Sequence, residues 1–173
     1  MDLALQAILS IAVVMDYRNG RIKNLLTAAG IAAGCILRLS TGETSVLLLL
    51  AGIFFPLLCC GLLFRMHALG AGDIKLFSVI GSFADFQELL SCICFSFVAG
   101  AIISLLKLIV NRNLMSSVYC FFQYIRQIYA TGTIEKYPGR DDGKRQMHFS
   151  AAILIGFLVT KGVEYGEIVV RII

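Results

Sequence analysis

The chain has 173 residues, of which 58% are hydrophobic and only 15% charged, against about 45–50% and about 25% in soluble domains. That length fits one domain, and a mean hydropathy of +0.85 excludes a soluble globular domain and a disordered chain alike. The net charge of +4 comes from basic residues that lie between long apolar runs, where they act as topology signals rather than as a nucleic-acid-binding surface.

In chain order the apolar runs cover residues 3–15, 25–39, 46–64, 74–83, 89–110 and 149 to about 160, the last with a mixed continuation to 173. Continuous runs, rather than alternating segments of about ten residues, point to helices and not to a transmembrane barrel. The N-terminus has no Lys or Arg before Arg18, so the first run is expected to be retained as a helix rather than removed as a signal peptide. The expected fold is all-α: a single polytopic membrane domain over residues 1–173 with about six transmembrane helices. The first, fourth and sixth runs fall furthest short of the roughly 20 residues of a span. They must extend past the apolar core or be shielded by neighbours. Pro56 lies inside the third run and is expected to kink it.

Basic residues set the topology. Arg18, Arg21 and Lys23 follow the first run, Arg65 and Lys75 flank the connection before the fourth, and the long loop 111–148 carries Arg112, Arg126, Lys136, Arg140, Lys144 and Arg145. The opposite connections, 40–45 and 84–88, carry Glu43, Asp85 and Glu88 instead. The positive-inside rule therefore puts the N-terminus outside and the basic connections in the cytoplasm. Within the long loop, Leu114, Val118, Phe121, Phe122, Ile125, Ile128 and Tyr129 fall on one helical face. They predict an amphipathic helix lying on the inner membrane surface. Residues 131–146, with three glycines and Pro138, read as loop; their acids Glu135, Asp141 and Asp142 are a solvated feature or an attraction for a basic leader.

The chemistry rests on two carboxylates. Asp16 closes the first run and Asp73 opens the fourth. An acid near a membrane core costs about 2.5–3.5 kcal/mol on insertion scales, which makes each a candidate functional group. The topology brings both to the same depth, at the cytoplasmic side. Two carboxylates at a shared site cannot both ionise cheaply, so the pair holds one proton and titrates as a unit. That is the arrangement for aspartyl proteolysis, in which one member activates water and the other protonates the oxyanion or the leaving amine. Gly70 and Gly72 precede Asp73 in the sequence Gly70-Ala71-Gly72-Asp73, removing side chains where an extended substrate backbone would approach. Asp73 is equally placed to cap the fourth helix. Arg18 and Lys75 stand near the acids as topology anchors or as electrostatic tuning of the pair. His67 and His148 are the only histidines, and the six cysteines form no C-x-x-C pair. No metal and no cofactor is expected.

These residues resemble the type IV prepilin peptidases. Asp16-Tyr17-Arg18-Asn19-Gly20-Arg21-Ile22-Lys23-Asn24 is similar to the family's aspartate followed by a basic I-P-N segment. Gly70-Ala71-Gly72-Asp73-Ile74-Lys75 is an intact G-x-G-D-x-K motif. His148-Phe149-Ser150-Ala151-Ala152 through Gly156 looks like the start of the family's last helix. Lys23 stands where the family has proline before Asn24, and the prolines near the last helix are missing. The resemblance implies a polytopic aspartic endopeptidase of the inner or plasma membrane with Asp16 and Asp73 catalytic and Gly70, Gly72, Lys75, Arg18 and Asn24 in supporting motifs. Its partners would be the bilayer and a prepilin-like precursor, cut at the cytoplasmic membrane face between a short basic leader and a hydrophobic helix. Larger members carry a cytoplasmic loop with paired C-x-x-C motifs linked to zinc and to N-methylation. The chain resembles the short, peptidase-only members of Flp/Tad pilus systems and the archaeal preflagellin peptidases, so methyltransferase activity is not expected. A different reading of the same two acids is a proton or cation pathway without enzymatic function.

Overall fold

The computed structural model describes residues 2–42, 45–65, 69–110, 119, 123, 126 and 149–172, with residues 62, 108 and 167–172 described by their backbone alone. It is helical throughout the described elements: α1 (Asp2–Asn19), α2 (Asn24–Thr41), α3 (Val46–Cys59), the short α4 (Gly61–Arg65), α5 (Ala71–Phe83), α6 (Phe86–Val110) and α7 (Phe149–Ile172). By contact the chain forms two compact units, residues 1–100 with 148–173, and residues 101–147.

The larger unit is organised around α5. Ile74 and every residue from Leu76 to Phe83 are buried, so this helix is covered on all sides. Its neighbours are α3, α2, α7 and α1, and α1 packs in turn on α7. At 13 residues, α5 extends for only about 20 Å at 1.5 Å per residue. Of the two ways to accommodate a short run, extension or shielding, α5 takes shielding by its neighbours.

The surrounding helices present narrow buried stripes. α1 buries Leu5, Leu9 and Ala12, at helical spacing. α2 buries Thr27, Gly30, Gly34 and Arg38, and α3 buries Leu49, Gly52 and Pro56. Large apolar side chains such as Leu25, Leu47 and Leu58 point outward. Small residues inside and leucines outside is the pattern of helices packed in lipid, where association depends on close backbone approach. The tightest such approach is between α3 and α5: a Cβ on Gly81 would collide with the Gly52 carbonyl oxygen, and one on Gly52 would stand 2.6 Å from the Gly81 carbonyl oxygen.

Among the described residues, four segments are long and apolar enough to cross a membrane: Asn24–Thr41, Val46–Arg65, Phe86–Lys107 and Phe149–Gly166. This supports a polytopic helical membrane protein and is compatible with about six spans; α1 and α5 fall outside the set. The third run continues helically through Pro56 and breaks at Cys60, whose N–H still bonds the Pro56 carbonyl at 2.9 Å.

In the smaller unit, residues 101–110 complete α6, and Tyr119, Gln123 and Arg126 are helical and exposed. Gln123 Nε2 donates to the Tyr119 hydroxyl oxygen at 3.0 Å, one turn away. The apolar face expected over 114–130 lies outside the described residues, as do Glu43, His67, Glu135, Asp141, Asp142 and His148.

Candidate active site

Asp16 owes its place to a helix stop. Gly20 has a φ of 62° and its N–H bonds the Asp16 carbonyl at 2.8 Å. A left-handed residue there ends α1 with little strain only if it is glycine, which leaves Asp16 in the last turn. The chain then passes through Ile22 and an extended Lys23 (φ −69°, ψ 133°) into α2. The Asp16 side chain is half-buried. Its Oδ2 accepts a hydrogen bond of 2.6 Å from the hydroxyl of Ser150, a residue of the first turn of α7 that is 1% exposed.

Asp73 is the third residue of α5. Gly70 rather than Asp73 occupies the N-cap, with extended backbone at φ −78° and ψ 150°. Asp73 caps from inside the helix: its Oδ2 accepts the Gly70 N–H at 3.2 Å. This is the reach-back half of a capping box. Asp73 is therefore not the N-cap, as the sequence suggested, but bonds back to it, and the carboxylate is oriented by the backbone just before it. Asp16 and Asp73 lie near enough for the charge of one to act on the other.

The two glycines of the motif have distinct tasks. A Cβ on Gly70 would stand 2.9 Å from Asp73 Oδ2 and displace the carboxylate. A Cβ on Gly72 would meet Ile22 Cδ1 at 3.2 Å. The space beside Gly72 is thus taken by the link between α1 and α2, not left open to a substrate backbone; Gly70 itself is exposed.

Lys75 donates to Asn24 Oδ1 at 2.7 Å. The last residue of the first motif and the last of the second are therefore joined directly, and the link meets α5 at two points, Ile22 beside Gly72 and Asn24 on Lys75. Arg18 is exposed in the final turn of α1, where a cation complements the helix C-terminus. Among the described residues no hydrogen bond or ion pair ties it to either acid.

Sequence reasoning brought Asp16, Asp73, Gly70, Gly72, Lys75 and Asn24 to one end of the bundle, and they are found there. It missed Ser150, Gly20 and Ile22. Gly20 had a signal, a glycine after the last periodic residue of a helix; Ser150 stood in the segment that resembles the family's last helix, but nothing there gave it a role of its own.

A family model described as the type IV leader peptidase family matches residues 3–105. No curated protein and no solved structure matches the chain. The match runs from α1 through most of α6 and includes both aspartates, Asn24 and Lys75, while Ser150 lies beyond it. With more than half of its length matched, the chain belongs to the type IV leader peptidase family.

Proposed function

We propose that this peptidase is an aspartic endopeptidase in which Asp16 and Asp73 work as one unit. The observation that carries the reading is their convergence. Two acids 57 positions apart in sequence come from the end of α1 and the start of α5 into each other's electrostatic reach.

A pair of this kind holds one proton between its members. The ionised carboxylate removes a proton from water as the oxygen attacks the scissile carbonyl. The protonated carboxylate gives its proton to the carbonyl oxygen. The tetrahedral diol then collapses, the C–N bond breaks, and a proton passes to the leaving amine.

The substrate is a membrane-anchored precursor with a short basic leader and a hydrophobic helix, of the prepilin type. The aspartate end carries Arg18, Arg21, Lys23, Arg65 and Lys75, and the positive-inside rule turns that end to the cytoplasm. Cleavage at the cytoplasmic face of the plasma membrane follows. Methylation of the product is not part of the reading.

The test is co-expression with a prepilin from the same genome, the pilin N-terminus being read by mass spectrometry. Loss of the leader is expected. A pilin untouched here but cut by a known prepilin peptidase would sink the proposal and direct attention to proton flux through the two acids.

A further inference from the structure

Ser150 is one of few buried hydroxyls whose bond leaves its own helix. Ser78, Ser82, Ser96 and Thr160 are buried too, but each donates to a carbonyl three or four residues earlier in its own helix. That local bond satisfies a hydroxyl in an apolar setting without any partner from outside. Ser150 instead spans from α7 to α1 and donates to Asp16 Oδ2 at 2.6 Å. That distance is in the range of about 2.5–2.7 Å for a hydroxyl bonded to a carboxylate. Asp73 is held differently, by a backbone N–H of its own segment at 3.2 Å.

We infer that Ser150 is a positioning residue for the peptidase reaction: it fixes the rotation of the Asp16 carboxylate by occupying Oδ2. The inference rests on the proposed aspartic mechanism. It adds a third helix to the site, since α1 and α5 supply the acids and α7 supplies the group that orients one of them. Being 1% exposed, Ser150 reaches the reaction through Asp16 and does not meet the substrate. Its contribution therefore belongs in the rate of the chemical step and not in precursor binding.

The experiment measures cleavage by the purified full chain in detergent over a range of concentrations of a prepilin from the same genome. Ser150→Ala and Ser150→Cys are compared with wild type, and the melting temperature of each protein is recorded. Cysteine preserves the volume and replaces a strong donor with a weak one. Both variants are expected to lose roughly 10- to 100-fold in kcat, the effect of one lost hydrogen bond to a charged group, with KM within about twofold of wild type. The melting temperature should fall by no more than the loss of one buried hydrogen bond explains, and kcat is referred to folded protein. If Ser150→Ala does not accumulate, Ser150→Cys alone decides. A kcat near wild type, or a loss of kcat that only tracks lost folded protein, overturns the inference while leaving the aspartic reading intact. Absence of cleavage by wild type, with the same pilin cut by a known prepilin peptidase, overturns both.

Discussion

The two ends of the larger unit differ in the donors that their carboxylates meet among the described residues. At one end, Asp16 accepts from the Ser150 hydroxyl and Asp73 from the Gly70 amide. At the other end, acids are matched with cations. Arg38, near the end of α2, is buried, donates to the Ala84 carbonyl and pairs with Asp85. Lys161 of α7 lies within 3.3 Å of Asp2 and 2.9 Å of Glu164, and also pairs with Glu88. Tyr165 donates to Asp2 at 3.2 Å. The same helices serve both ends: α1 carries Asp2 and Asp16, α2 Arg38 and Asn24, α7 Lys161 and Ser150. A cation beside an acid holds it ionised and fixes structure. A neutral donor orients the acid without committing it to one charge, as proton transfer requires.

That contrast can be broken by substitution, and the largest effect is expected at the acids. Asp16→Asn or Asp73→Asn should cut leader cleavage by roughly 10²–10⁴-fold, the range for removing a general acid or base. Neither should lower the melting temperature. A variant that keeps its rate would show that the carboxylate it lacks takes no part in proton transfer. At the ion-paired end the signs reverse. Lys161→Ala leaves Glu88, a carboxylate 18% exposed, without its cation, and the cost should be about 2–3 kcal/mol of stability. Folded protein at the same temperature should still cleave at the wild-type rate. A loss of rate with unchanged melting would erase the distinction between the ends.

Gly70→Ala sharpens the comparison. Its Cβ would press on Asp73 Oδ2 while the extended backbone suits any residue. Activity should fall roughly tenfold through misplacement of the acid, with melting unchanged. The smallest effect is expected at Lys23, whose φ of −69° is the value proline imposes. Lys23→Pro should stabilise the protein by about 0.4–1 kcal/mol. Its effect on cleavage should be negligible, and a thermal denaturation series measures the gain.

Much of this was legible from residues alone. Asp16 and Asp73 stand at the ends of apolar runs, and basic residues in the connections imply that both belong at one end. The shortness of the fourth run left two readings, a helix that extends past the apolar core or one shielded by its neighbours, and α5 takes the second. What remained hidden depends on contacts between distant segments. Nothing local marks Ser150 as the residue that bonds Asp16, because a serine beside an apolar run ordinarily bonds its own helix. Gly72 read as room for a substrate, since the filling of that space by Ile22 follows only from how α1 turns into α2. Lys75 and Asn24 read as separate motif residues, and their direct bond is a matter of tertiary register. Arg38 and Lys161, basic residues away from the basic connections, acquire their meaning only from Asp85 and Glu88.

The central claim is that Asp16 and Asp73 act as a single unit. The most direct test measures leader cleavage by wild type, Asp16→Asn, Asp73→Asn and the double variant on one purified prepilin. Groups that act together are not additive, so each single variant should be as inactive as the double. If one single variant kept substantial activity, or if the two losses simply multiplied, the aspartates would be working independently and the claim would fail.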